Sequence, residues 1–202
     1  LITPGDVRVE PRCGHFGVCG GCRWQHLPYD FQLRCKQRQV TDALQRIAKV
    51  ELPEVSSIIG SAEIWNYRNK MEYTFSNRCW LTFEQLASGE EFPDRDAAGF
   101  HISGAFDKVL DIKACHLQDD LGNRLRLFVK DFGKSHGYSF YDLKAQCGLL
   151  RTLMIRIAST GEVMAVMAFG EDDREAIAAL LDTIVAEFPG ITSLMYTVNT
   201  KV

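Results

Sequence analysis

Three cysteines within ten residues, Cys13, Cys19 and Cys22, are separated by five and then two positions and interleaved with Gly14, Gly17, Gly20 and Gly21. A segment so rich in glycine and so poor in large apolar side chains cannot organise itself by burying a core, so something else has to hold it. Thiolates that glycine allows to turn inward suit a metal or metal-sulfur centre, because close backbone N–H groups offset their charge. The chain has seven cysteines, an odd number, and no secretory signal, which argues against a disulfide framework. Three ligands need a fourth, and Cys35, Cys79, Cys115 and Cys147 are the candidates; Cys115 falls at a strand-to-helix junction. Three near ligands and one remote favour a [4Fe-4S] cluster over the paired knuckles of structural zinc, although zinc and plain reduced thiols stay open on spacing alone.

Elsewhere the hydrophobic period assigns the elements. DVRVEP (6–11) reads as the end of a strand. From about Tyr29 to Ala48, Leu33, Val40, Leu44 and Ile47 recur at helical spacing, predicting an amphipathic helix with a basic outer face. YRNKMEYTFS (67–76) alternates as a strand does, and AGFHISGAF (98–106) is expected to pair antiparallel with it across a loop holding Gly89, Pro93 and Asp94. After KVLDI (108–112), the stripe Leu117, Leu121, Leu125, Phe128, Val129, Phe132 predicts a helix ending near Gly133. LLRTLMIRIAS and EVMAVMAFG form a hairpin at Thr160-Gly161. Asp172 or Asp173 then caps a helix that Pro189-Gly190 stops, and ITSLMYTVN is a last strand. The order from 108 onward is strand, helix, strand, strand, helix, strand. The expected fold is therefore α+β: a Gly/Cys-rich cluster-binding arm and basic helix (12–52), then a ferredoxin-like split βαβ sandwich with an added hairpin (53–202).

Charge is segregated. Residues 12–49 hold seven Lys or Arg against two acids, whereas 171–188 hold six acids against one base. The net charge of -3 excludes a globally basic nucleic-acid binder, so any such contact is local. No apolar run approaches the roughly 18 residues of a membrane span, and no leader opens the chain, which points to a cytoplasmic protein without a membrane partner. The absence of an initiator Met and the stop just after a strand-like run suggest a piece of something longer.

Six segments in order carry a resemblance: CGHFGVCGGCRWQHLPYDFQLRCKQRQV, WNYRNKMEYTFS, GFHISGAFDKVLDIKAC, GLLRTLMIR, STGEVM and ITSLMYTVNTK. Together they resemble the iron-sulfur members of the uracil-C5 RNA methyltransferases across almost the whole chain. The resemblance implies a cluster held by Cys13, Cys19, Cys22 and Cys115, with Cys35, Cys79 and Cys147 as ordinary reduced thiols. It also implies that residues 1–11 end a truncated β-barrel RNA-binding domain and that 53–202 form a central RNA-binding domain. The family's reaction forms 5-methyluridine: a cysteine thiolate adds to C6 of an extruded uracil, C5 takes a methyl group from S-adenosylmethionine, and a base removes the C5 proton.

No Gly-rich strand-to-helix turn for that cofactor and no nucleophilic cysteine motif occurs here, so the Rossmann-like catalytic domain is expected to be absent and the piece inactive alone. Arg68, Lys70, Tyr73, His101 and Lys108 mix phosphate-pairing cations with stackable rings, and Arg23, Gln25 and His26 follow the cysteine array. These eight are the candidate contacts to a structured rRNA or tRNA; no DNA partner is expected. Competing readings are an iron-sulfur electron-transfer or redox-sensing protein, which needs no basic helix, and a zinc-stapled RNA-binding module.

Overall fold

Residues 5–200 are described by the structure, a computed structural model. Residues 1–4, part of the expected barrel remnant, and 201–202 lie outside the described residues. The chain divides into two compact units, one running to Gly17 and resuming over Gly21–Ile64, the other comprising Val18–Gly20 and Trp65 onward. DVRVEP is not a strand: it turns at Asp6-Val7 and then runs irregularly, with the Val9 N–H donating to the His26 carbonyl at 3.0 Å.

In the first unit, helix α1 (Tyr29–Asp42) continues as a wider π-helical turn over Ala43–Ile47, close to the expected span. Its apolar stripe is not buried: Val40, Leu44 and Ile47 are all exposed, and no residue of α1 is fully buried. Residues 53–64, expected with the sheet domain, pack along this helix instead. The Gln37 amide donates to the Ser56 carbonyl at 3.1 Å and accepts the Ile58 N–H at 2.9 Å, and the Tyr29 hydroxyl accepts the Ser61 N–H at 2.8 Å.

The second unit is a six-stranded sheet with the order β3-β2-β1-β4-β5-β6. Its strands are β1 (Lys70–Ser76), β2 (Ala97–Ile102), β3 (Ala105–Asp111), β4 (Leu150–Ile157), β5 (Val163–Phe169) and β6 (Ser193–Val198). All neighbours are antiparallel except β5 and β6. The α+β class and the β1–β2 pairing therefore hold, but the ferredoxin-like strand order does not. A split βαβ unit needs a strand between its parallel pair, whereas β5 and β6 are direct neighbours joined through helix α4 (Arg174–Glu187). The opening strand of the expected unit, β3, lies at the far edge because the chain reverses at Ser103-Gly104, where Gly104 takes φ +83°. AGFHISGAF is thus a strand, a turn and the start of another strand.

A short helix, α2 (Phe83–Ala87), interrupts the expected loop, held by a reciprocal capping box between Thr82 and Gln85. The segment ahead of it protects the sheet edge: the Trp80 N–H donates to the Val109 carbonyl at 2.8 Å and the Val109 N–H to the Arg78 carbonyl at 3.2 Å. Helix α3 (Asp120–Ser135) runs past Gly133, the expected end. That glycine is there for close packing, since a Cβ on it would come within 2.4 Å of Leu150. Asp119 and Asp173 cap α3 and α4 by accepting the N–H groups of Leu121 and Ala176.

Strand parity separates the two faces of the sheet. Met71, Tyr73 and Phe75 of β1, Leu153 and Ile155 of β4, and Val163, Ala165, Met167 and Phe169 of β5 are buried together with Leu125 and Val129 of α3. Phe128 of α3 meets Phe188, the residue that closes α4, with the rings 5.3 Å apart. On the opposite face Lys70, Glu72, Met154, Arg156, Met164, Val166 and Ala168 stay exposed or half-buried. No helix among the described residues is long and apolar enough to cross a membrane.

Asp142 ties the loop before β4 to Arg78, accepting from its Nη2 at 3.0 Å and also from the N–H groups of Lys144 and Ala145. The Arg78 guanidinium first, and then those N–H groups, hold the Asp142 carboxyl far below the usual carboxylate range. A carboxyl depressed in the folded state contributes stability that is complete above its unfolded value and drains as pH falls towards the folded one. The thermal midpoint should therefore fall on acidification below about pH 4. In Asp142→Asn it should start lower at neutral pH and depend less on acid, as calorimetry at several pH values would show.

Candidate functional site

In the cysteine array the chain turns where its glycines permit. The Phe16 N–H donates to the Cys13 carbonyl at 3.0 Å, and Gly17 and Gly20 take φ +89° and +71°. The Cys13 N–H is bound by the Gln25 amide oxygen at 3.2 Å, and Gln32 of α1 donates to the carbonyls of Trp24 and Leu27. Cys13, Cys19 and Cys22 are each half-buried. Of the expected RNA contacts here, Arg23 is exposed. Gln25 is half-buried and accepts the Cys13 N–H, and His26 lies half-buried with its ring 5.3 Å from Phe16 and its Nδ1 buried without a partner.

Cys115 sits in the crossing between β3 and α3, and the second unit holds this loop from several sides. Asn123 of α3 grips the residue itself, accepting the Cys115 N–H at 2.8 Å and donating to the Cys115 carbonyl at 3.1 Å. The N–H groups of Asn66 and Arg68 donate to the carbonyls of His116 and Leu117 at 3.0 and 2.8 Å, and Trp65 meets His116 edge-on. Arg68, an expected RNA contact, is thereby brought beside the loop of an expected ligand.

Arg126, one turn beyond Asn123, is fully buried. It donates to the carbonyls of Ala98 at 2.9 Å and Lys113 at 3.1 Å, and its guanidinium lies 5.4 Å from the centre of the Tyr73 ring. Its Nε is buried with no acceptor. Burial pushes the Arg126 guanidinium down, against the favourable fields of Tyr73, Asp111, Cys115 and Asp131. Burial also drives the Tyr73 phenol far above its ordinary range, with Cys115 adding to the shift and Arg126 opposing it.

Tyr73 therefore corrects the expectation: it is a core residue whose hydroxyl donates to Gln118 at 3.4 Å, and its ring is closed to any base. The other expected contacts remain accessible to different degrees. Arg68 and Lys70 are exposed, His101 is exposed with its Nε2 3.1 Å from the Thr74 hydroxyl, and Lys108 is half-buried. Arg156, not singled out from the sequence, pairs in register with Lys70 across β1 and β4 and sets a second exposed cation beside it. Its place in a strand of known parity was the available signal. Asn123 and Arg126 were also missed, and the signal for Arg126 was a cation on the buried side of a helix rich in Leu, Phe and Val.

Among the described residues no three His, Cys, Asp or Glu side chains are gathered as a metal-binding group. Cys13 and Cys22 belong to the first unit, and Cys19 and Cys115 to the second. Cys13, Cys19, Cys22 and Cys115 are each half-buried and Gly17 and Gly20 take left-handed turns between the first three, but no three of these thiols are gathered as a metal-binding group. Cys79 behaves differently. Burial pushes its thiol up, and its Sγ points at the Trp80 carbonyl at 3.4 Å, which suits an inert protonated thiol.

No protein-family model matches the chain. An uncharacterized RNA methyltransferase of Bacteroides thetaiotaomicron is 52% identical over 198 residues, covering 96% of this chain and 44% of its own length. One from Porphyromonas gingivalis is 50% identical over 206 residues, covering all of this chain and 44% of its own length. The chain belongs to the same family as these RNA methyltransferases. The resemblance to RNA methyltransferases carried by the motifs therefore holds, and the chain spans less than half the length of these relatives. A third member, from Chlorobaculum tepidum, is 38% identical over 191 residues. In fold, the chain is similar along its full length to 40% of the crystal structure of Pyrococcus abyssi tRNA (uracil-54, C5)-methyltransferase in complex with S-adenosyl-L-homocysteine, with a TM-score of 0.63 and 23% identity.

The different placements of Tyr73 and Lys70 predict opposite consequences of truncation. Tyr73→Ala should cost about 3–5 kcal/mol, as removal of a buried aromatic ring does. Lys70→Ala should stay within about 0.5 kcal/mol of the parent in urea unfolding.

Proposed function

We propose that this chain is the RNA-recognition part of an S-adenosylmethionine-dependent RNA methyltransferase that forms 5-methyluridine, and that Cys13, Cys19, Cys22 and Cys115 hold a [4Fe-4S] cluster in it. The observation that carries the reading is the match of nearly the entire chain, at 50% identity or more, to RNA methyltransferases over twice its length. The structural neighbour that acts on a tRNA uracil adds support for the base and for the cofactor. The nucleophilic thiol and the S-adenosylmethionine pocket are assigned to the portion of the relatives that the chain does not span, so the chain alone should transfer no methyl group.

What the chain contributes is binding. The cations Arg68, Lys70, Arg156 and Arg23 stand in solvent where phosphates can reach them, and His101 lies on the strand next to β1. Bound, the cluster supplies a sulfur-ligated anchor and a local charge, since methyl transfer by this route moves no net electrons. The partner is a structured rRNA or tRNA whose backbone these cations would grip.

Two measurements test this reading. Anaerobic reconstitution with ferrous iron and sulfide should give a brown protein with equal iron and sulfide. Cys19→Ala and Cys115→Ala should lose both, while Cys79→Ala keeps them; equal iron in all three would defeat the ligand set, and bound zinc without iron would defeat the cluster. Titration with tRNA and rRNA transcripts at several salt concentrations should give binding that weakens with salt. Lys70→Ala and Arg156→Ala should each lower that salt slope by about 1. Binding indifferent to salt would reject the surface.

A further inference from the structure

We propose that the arginine row of α1 and its π-helical continuation, Arg34, Arg38 and Arg46, is a second RNA-contact surface, on which Asp30 and Asp42 hold the guanidiniums ready and give way to phosphates of the RNA backbone. The proposal rests on the reading of the chain as the RNA-recognition part of a methyltransferase. It goes beyond that reading by adding a surface in the first unit and a carboxylate that competes with the RNA.

Residues 56–61 settle which side of the helix is free. They hold Gln37 through the Ser56 carbonyl and the Ile58 N–H, they bond the Tyr29 hydroxyl through the Ser61 N–H, and Gly60 closes on Leu33, where a Cβ would come within 3.0 Å of Cδ1. Tyr29, Leu33 and Gln37 form one row at four-residue spacing, and the row Asp30, Arg34, Arg38, Asp42, Arg46 runs beside it in solvent. The three arginine side chains are 66%, 79% and 73% exposed. Asp30 takes Arg34 at 2.7 Å, while Asp42 takes Arg38 at 3.5 Å and Arg46 at 3.3 Å, so three guanidiniums share two carboxylates. The surplus is positive in a chain whose net charge is -3.

A regular α-helix winds such a row off its face, because residues four apart drift by about 40° per step at 3.6 residues per turn. The wider turn over Ala43–Ile47, closed by the Ala48 N–H on the Ala43 carbonyl at 2.9 Å, rotates less per residue and keeps Arg46 nearer the line of Arg38. Both reach the one Asp42 carboxylate. Wide turns of this kind inside α-helices are frequent at functional sites. From Arg34 to Arg46 the row covers on the order of 15–18 Å, the length of several phosphates along a strand. A phosphate offers a guanidinium the same paired oxygens as a carboxylate. Exposed pairs are weak and screened, so an RNA exchanges with Asp30 and Asp42 without dismantling the fold.

The test titrates the whole chain with tRNA and rRNA transcripts by fluorescence anisotropy at several salt concentrations, with circular dichroism reporting the fold. Arg34→Gln, Arg38→Gln and Arg46→Gln sit at exposed helical positions that glutamine suits; each should lower the salt slope by about 0.7–0.9 and weaken binding about fivefold at roughly 0.1 M salt. Arg38→Lys, which keeps the charge, should keep the slope. Asp42→Asn should bind RNA about threefold more tightly, because two guanidiniums lose their competitor. Pairs that served only the helix would leave RNA binding at the parent level in every variant, and arginine variants with the parent slope, or Asp42→Asn no tighter than the parent, would overturn the proposal. If the parent chain binds neither transcript, the reading of the chain as an RNA-recognition part falls and takes this inference with it. If Lys70→Ala and Arg156→Ala weaken binding while the α1 variants do not, the inference falls alone.

Discussion

One buried charge sets the terms on which helix and sheet meet in the second unit. Arg126 projects from α3 into the layer occupied by Leu125, Val129 and Tyr73, where a guanidinium loses its water. It can stay there because the Ala98 carbonyl of β2 and the Lys113 carbonyl of the following loop both turn towards it. The helix is thereby registered against the sheet and against the crossing segment at once. Gly122 and Gly133 complete the fit, since a Cβ on either would overlap Gln118 or Leu150. An apolar side chain of similar volume at this position would leave the Ala98 and Lys113 carbonyls without this donor, so the charge is part of what holds helix, sheet and loop together.

Much of this architecture is legible in the residues themselves. The alternation in β5, the Thr160-Gly161 reversal, the Asp173 cap and the apolar stripe of α3 each follow from a period or a local bond, and the structure repeats them. Strand order is different in kind, because pairing between β1 and β4 joins residues some eighty positions apart and no local preference encodes it. The Ser103-Gly104 reversal was hidden by apolar residues on both sides, which read as one strand when the turn is ignored. Tyr73 was within reach of a stricter reading. Lys70 and Tyr73 stand an odd number of positions apart in a strand, so they cannot share a face, and parity alone places the ring with Met71 and Phe75.

The candidate site shows the same division. The clustering of Cys13, Cys19 and Cys22 is a short-range pattern, and the glycine turns between them are present. Singling out Cys115 depended on the resemblance, since spacing left four candidates for the remaining position. Its surroundings could not be read at all, because Asn123 and Arg126 acquire meaning only when α3 is laid beside the loop that precedes it. A polar residue on the buried side of an amphipathic helix is the trace such a support leaves in a sequence.

Charge in the first unit follows a different logic from charge in the second. Arg34 pairs with Asp30, while Arg38 and Arg46 both pair with Asp42, all at one-turn spacing and all on exposed side chains. Exposed pairs of this type contribute about 0–1 kcal/mol and are screened by salt, so exchanging a carboxylate for a phosphate costs little. Asp30 and Asp42 therefore keep the cations extended along α1 without neutralising the helix, which still carries more bases than acids. Arg126 has no such exchangeable partner: it is fully buried and held by the Ala98 and Lys113 carbonyls and the face of Tyr73. The first unit thus holds a loose set of cations that a polyanion can recruit from solvent, and the second holds at least one fixed cation engaged by carbonyls and a ring of the fold itself.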